Sequence, residues 1–127
     1  MTETAKPKPN VYVIDDDPSV RSALVRFLLA NGMEVLAFET AEAFLAQLPQ
    51  LAPGSLIVDV QLPGMSGLDL LTKMACDNIR WPALVLSGAH EGNEAAVAAL
   101  LGPNRYLRKP FDPKIVLQAL HLSPGGA

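Results

Sequence analysis

Short apolar runs alternate along this chain with segments in which apolar residues recur every three or four positions. That alternation predicts strands and helices in turn, and with them a parallel sheet. Residues 11–14 are apolar and end in three aspartates, so they read as a buried first strand. Asp17-Pro18 supplies an N-cap and an N1 proline, and Val20, Leu24, Phe27 and Leu28 follow at helical spacing up to Asn31-Gly32. Residues 34–38 read as a second strand, and Thr40 caps a helix carrying Ala43, Phe44 and Leu48 that ends near Pro49. Residues 55–60 form an apolar third strand interrupted only by Asp59, after which Pro63-Gly64 turns and Ser66 caps a helix bearing Leu68, Leu71 and Met74. Residues 82–86 predict a fourth strand ending in Ser87-Gly88, and an Ala-rich helix follows from about 93 to 101, stopped by Gly102-Pro103. Residues 105–108 make a short fifth strand, and Asp112-Pro113 repeats the N-cap and proline signal for a last helix through Leu122. Five such units predict a doubly wound α/β fold, a five-stranded parallel sheet with helices on both faces.

Composition narrows the class. With 127 residues, half of them hydrophobic, the chain has room for one globular domain and one sizeable core. Residues 11–122 are expected to form it, with 1–10 a loose tail and 123–127 a frayed end or truncated linker. A net charge of −3 lacks the basic excess of a nucleic-acid surface, so direct nucleic-acid contact is not expected. No apolar run approaches the roughly 20 residues of a membrane span, and the Lys- and Pro-bearing start does not read as a secretory signal. The lone Cys76 excludes an internal disulfide; it reads as a small buried or half-buried side chain and suits a cytoplasmic location.

In open α/β sheets ligands sit beyond the carboxyl ends of the strands, so the residues there carry the candidate chemistry. Strand one ends in Asp15, Asp16 and Asp17, strand three at Asp59, strand four at Ser87 and strand five at Lys109. Clustered carboxylates repel unless a cation intervenes, and an all-oxygen donor set suits a hard divalent ion. Asp15 and Asp16 are the natural metal-side pair for Mg²⁺, or Mn²⁺, with Asp59 and the Gln61 backbone carbonyl as further donors. Lys109 adds positive charge and Ser87 a hydroxyl donor where phosphoryl oxygens would gather. Asp17 reads simply as a cap, and an aspartate buried among Leu56, Ile57, Val58 and Val60 is costly without a partner.

Val13-Ile14-Asp15-Asp16-Asp17, the run from Leu56 through Asp59 to Gly67, Leu84-Val85-Leu86-Ser87-Gly88 and Tyr106-Leu107-Arg108-Lys109-Pro110-Phe111 resemble the motif blocks of response regulator receiver domains, most like those of FixJ type. The resemblance implies a flavodoxin-like (βα)5 fold with strand order 2-1-3-4-5. It also implies a two-component phosphoacceptor switch rather than an enzyme in the ordinary sense, one that assists its own phosphorylation and dephosphorylation. Asp59 falls on the phosphoacceptor, Asp15 and Asp16 on the Mg²⁺-holding pair, and Gln61 on the residue whose carbonyl completes the metal shell. Ser87 falls on the hydroxyl switch, Tyr106 on the aromatic switch, and Lys109 on the phosphoryl-binding lysine, whose bond to Pro110 is commonly cis in the family. The implied partners are a sensor histidine kinase or phosphotransfer protein and a downstream effector domain or protein. Pairing of two copies on phosphorylation, through the apolar helix of residues 95–101, is a further expectation from family behaviour.

Some positions depart from the family pattern. Asn104-Arg105 stands where many receivers carry acidic residues, and Arg105 argues against the ion pairing that one subgroup makes there. Trp81 reads as packing, His90 as a loop residue near enough to the crevice to tune the phosphoryl lifetime, and His121 as a helix-end residue favoured by the dipole. Two rivals stand beside the switch: a receiver-like interaction module that is never phosphorylated, and a Mg²⁺-dependent phosphohydrolase with an aspartate nucleophile. The latter resembles Asp-x-Asp, and here the second position is Gln61. No Gly-x-x-x-x-Gly-Lys-Ser/Thr loop is present to cradle a nucleotide phosphate.

Overall fold

A computed structural model describes residues 10–88, 92 and 94–121. The expectations for residues 1–9, His90, the side chain of His121 and residues 122–127 lie outside it. Five parallel strands, β1 (Asn10–Ile14), β2 (Glu34–Phe38), β3 (Ser55–Asp59), β4 (Ala83–Ser87) and β5 (Tyr106–Arg108), pair in the order β2-β1-β3-β4-β5. The helices α1 (Pro18–Ala30), α2 (Ala41–Gln47), α3 (Gly67–Cys76), α4 (Glu94–Leu101) and α5 (Pro113–His121) alternate with them, and a 3₁₀ turn at Leu48–Gln50 follows α2.

The sheet is covered on both faces because its central strands are apolar on both. Val11, Val13, Ile57, Leu84 and Leu86 pack on Leu24 and Leu28 of α1 and Val116 of α5. On the other face Tyr12, Ile14, Leu56, Val58 and Val85 meet Phe44 of α2, Leu70, Leu71 and Met74 of α3, and Val97 of α4. Burying one such aliphatic side chain is worth about 1.5–3 kcal/mol, so two continuous layers hold the strand ends in fixed register. Trp81 is packing: it stacks on Tyr12 with ring centroids 5.6 Å apart and meets Phe44 edge-on at 6.4 Å.

The capping expectations hold where they position the site. Asp17 accepts from Ser19 N–H with Pro18 at the helix start, Thr40 Oγ1 accepts from Ala43 N–H, and Ser66 Oγ from Asp69 N–H. Asp112 Oδ1 accepts from Lys114 N–H at the start of α5. Other readings change. β3 ends at Asp59 and β5 starts at Tyr106, each one residue inside the expected bound. Asn10 belongs to β1 rather than to a tail, paired with Glu34 of β2. β4 starts one residue later, so Ser87 lies inside the ladder and its carbonyl accepts from Lys109 N–H at 2.8 Å. Cys76 is exposed, because α3 buries Gly67, Leu70, Leu71 and Met74 and the thiol falls off that stripe.

Candidate functional site

The β1, β3 and β5 ends converge as the topology requires. Asp15, fully buried, is fixed through its backbone: its N–H donates to Phe38 O at 3.1 Å and its carbonyl accepts from Arg21 Nη1 at 2.7 Å. Its Oδ1 accepts from Asp17 N–H at 2.9 Å. Asp59, 5% exposed, has Oδ1 held by Gln61 N–H at 2.9 Å and Oδ2 by Lys109 Nζ at 2.6 Å. Lys109 Nζ also lies 3.0 Å from Asp15 Oδ2, so one ammonium bridges two carboxylates across strands. The Lys109–Pro110 bond is cis.

The electrostatics follow from burial. Desolvation pushes the Asp15 carboxyl above its ordinary range; the Asp17 N–H and Lys109 act the other way, and the charge of Asp59 adds to the rise. Desolvation also works against the Lys109 ammonium, but its hydrogen bond to Asp59, its close pairing with Asp15 and the negative charges of both outweigh it. The net effect raises its pKa.

Three carboxylates crowd this corner. Asp15, Asp16 and Asp59 each offer an oxygen within 4.8 Å of the others, with Asp16 exposed and the other two buried. Asp15 Oδ2 is buried and, despite the nearby ammonium, has no donor aligned on it as a hydrogen bond. Three carboxylates against one ammonium leave a net negative charge around that buried oxygen, and an all-oxygen set of this size fits a hard divalent cation. Above them opens a crevice of about 510 Å³ lined by Asp16, Asp17, Asp59, Gln61, Leu62, Pro63, Gly88 and Lys109.

Ser87 and Tyr106 lie beside this crevice rather than in its lining. The Ser87 side chain is buried; its hydroxyl donates to Gly88 O at 3.0 Å and accepts from the Tyr106 hydroxyl at 2.7 Å. Tyr106 is thus already turned toward β4. Three further contacts escape sequence reasoning. Arg21 braces the end of β1 from α1, as above. Gly67 N–H donates to Val60 O, and a Cβ at Gly67 would sit 2.2 Å from Asp59 O, so the α3 start presses on the backbone of Asp59 itself. Arg105 is 7% exposed, and its Nη2 donates to Ala119 O in the last turn of α5 at 2.8 Å.

Residues 11–121 match the response regulator receiver domain family, nearly the whole length described above. The chain belongs to that family. It is 38% identical over 105 residues to the transcriptional regulatory protein FixJ of Bradyrhizobium diazoefficiens, covering 83% of this chain and 51% of that protein. The receiver therefore spans about half the length of this relative. Among solved structures it resembles the FixJ-N crystal structure, with a TM-score of 0.80 and 32% identity over 91% of this chain and 93% of that one. A response regulator receiver protein from Pseudomonas putida gives a TM-score of 0.82 at 28% identity, covering 93% and 99%. The family is one of signalling domains rather than classical enzymes, and neither the interaction module nor the phosphohydrolase is favoured by these likenesses. Among the described residues no helix is long and apolar enough to cross a membrane.

Proposed function

We propose that this receiver is switched by transfer of a phosphoryl group to Asp59, from the phosphohistidine of a sensor kinase or phosphotransfer protein. The observation that carries this reading is the convergence on Asp59 of Lys109 at 2.6 Å and of the carboxylate cluster with Asp15 and Asp16. One Asp59 oxygen forms the new O–P bond while the donor N–P bond breaks and its electron pair stays on the imidazole. Hydrolysis by water later restores the carboxylate and releases phosphate. Asp15, Asp16, Asp59 and the Gln61 carbonyl would hold Mg²⁺, or Mn²⁺, which would supply charge neutralisation for the phosphoryl oxygens. Lys109 keeps its ammonium beside the oxygen it already contacts, and the Ser87 hydroxyl, one rotation away from Gly88 O, donates to a phosphoryl oxygen. This is positioning and electrostatic catalysis by the receiver's own residues.

The output side rests on likeness to FixJ, about half of whose length this chain covers. We infer a kinase upstream and an effector domain or protein downstream, in the cytoplasm. Pairing of two copies through α4, which leaves Ala95, Ala96, Ala98 and Ala99 exposed, belongs to the same proposal.

Incubation with Mg²⁺ and acetyl phosphate tests the reading by mass. We expect one phosphoryl adduct, acid-stable, hydroxylamine-labile and absent in Asp59→Asn. A wild-type protein that gains no mass from acetyl phosphate, phosphoramidate or any kinase refutes it and returns the interaction module; Asp59-dependent turnover of unrelated phosphate esters returns the phosphohydrolase.

A further inference from the structure

The loop between β3 and α3 carries Gln61, which lines the crevice and whose carbonyl the reading above assigns to the cation, and it is held from outside by a residue the site does not otherwise use. Glu42, in the first turn of α2, reaches across so that its Oε2 accepts the Met65 N–H at 2.8 Å, a contact 23 residues away in sequence. The fit is mutual. Gly64 has φ +76°, and a Cβ there would sit 2.5 Å from the same Oε2 and 3.2–3.3 Å from the other carboxylate atoms of Glu42. The loop thus gives the carboxylate both an amide to bind and a missing side chain to occupy.

The two ends of this contact are rigid. α2 is seated by Ala41 and Phe44, both fully buried in the core, and Thr40 caps its start. The far side of the loop is tied at Gly67 N–H to Val60 O and at Gln61 N–H to Asp59 Oδ1. Between these ties, the Glu42 bond is the one that a side chain of another helix supplies among the described residues. A loop pinned at three points presents its carbonyls in one arrangement; partners bonded directly to a ligand typically set metal affinity by 10–100-fold, and Glu42 acts at one remove, through Met65.

We propose that Glu42 is a positioning residue for the cation site: it clamps the β3–α3 loop through Met65 N–H, and so fixes the Gln61 carbonyl that the Mg²⁺ reading above requires. Its charge is incidental and its acceptor oxygen is what acts.

The test compares E42A with E42Q in the whole chain, reading Mg²⁺ affinity by calorimetry and, without metal, hydrogen exchange at the Met65 amide. Because Glu42 is exposed, the low end of the outer-partner range applies, and E42A should weaken Mg²⁺ binding about tenfold. Its Met65 amide should exchange faster, while E42Q, which keeps an acceptor oxygen, should match wild type in both readouts. Unchanged Mg²⁺ affinity in E42A overturns the proposal. So does an E42Q as weak as E42A, which would make the effect one of charge, and so does a Met65 amide indifferent to Glu42. If the wild type binds no Mg²⁺ while Met65 exchange still responds to E42A, the cation reading has failed and the clamp alone stands.

Discussion

Replacing Gly67 by alanine tests how closely α3 is pressed against the end of β3 that carries Asp59. The added Cβ would lie 2.2 Å from Asp59 O, 3.0 Å from Asp59 C and 3.1 Å from Val58 Cγ2. The closest comfortable C···O approach is ~3.3 Å, so about 1 Å of movement is needed. Both sides are backbone, so no rotamer change can absorb it. If the start of α3 retreats, the Gly67 N–H to Val60 O bond of 3.0 Å is lost or stretched. Overpacking of this kind costs about 1–3 kcal/mol, and a broken backbone hydrogen bond adds about 1 kcal/mol. Against this, alanine gains up to ~1 kcal/mol by its lower unfolded-state entropy.

The net expectation is a loss of about 1–3 kcal/mol, a fall in melting midpoint of very roughly 4–12 °C for a domain of this size. Should Asp59 move instead of α3, the consequence appears in chemistry, because a misplacement of ~1 Å can cost about 10²-fold in rate. The assay is urea unfolding together with the rate of acetyl phosphate labelling, both on Gly67→Ala and wild type. A variant as stable as wild type and labelled at the same rate would refute the close approach and the reasoning built on it.

Three other outcomes follow from the same geometry. Mg²⁺ at ten times its dissociation constant should stabilise the wild type by about 1.4 kcal/mol and raise its melting midpoint; Asp16→Asn, whose side chain is exposed, should reduce the effect, and a midpoint indifferent to millimolar Mg²⁺ would sink the cation site. In metal-free buffer Asp15→Asn should be more stable than wild type at pH 7. Burial raises the folded-state pKa of Asp15 above the ordinary 3.8, so the folded state binds the proton more tightly. Stability therefore falls as pH rises through that window, and the advantage of Asn should vanish as pH drops back through it, as thermal melts across pH would reveal. Arg105→Met keeps the stem but loses the bond to Ala119 O while also removing a desolvated charge. Its stability should stay within about 1 kcal/mol of wild type by urea unfolding, and a loss beyond ~3 kcal/mol would show that the guanidinium bond dominates.

The strands were legible because a parallel sheet covered on both faces demands continuous apolar runs, and the helix starts because Asp17, Thr40, Ser66 and Asp112 announce themselves as caps. Asp15, Asp16, Asp59 and Lys109 could be named as site candidates since strand ends of such a sheet meet in one place. The misses share a cause: they depend on the direction of a side chain across an element boundary. Arg105 falls at the expected start of the fifth strand, yet it lies just before β5 and its buried guanidinium reaches Ala119 O of α5. Glu42 looks like any helix-face carboxylate, and only the crossing of α2 with the β3–α3 loop brings it to Met65. Cys76 carries no signal for which side of the last turn of α3 it occupies, and Ser87 none for whether its hydroxyl faces the crevice or Tyr106.

That last orientation bears on how the proposed switch is driven. A hydroxyl has one proton to donate and two lone pairs to accept with. Ser87 can therefore move its donation from Gly88 O to a phosphoryl oxygen while the Tyr106 hydroxyl continues to donate into it. The exchange replaces a neutral hydrogen bond of about 1 kcal/mol by a charge-assisted one of about 1.5–3 kcal/mol, a net gain of roughly 0.5–2 kcal/mol. Taking a two-state protein from mostly off to mostly on requires about 5.5 kcal/mol. The hydroxyl alone falls short by more than half. On the proposed reading the larger share comes from the charges of the site: the Lys109 ammonium, now held between Asp15 and Asp59, and the cation that would sit beside it. On this reckoning Ser87→Ala weakens the switch and leaves part of it working. Loss of the Lys109 charge, with two carboxylates left facing one another, removes most of it.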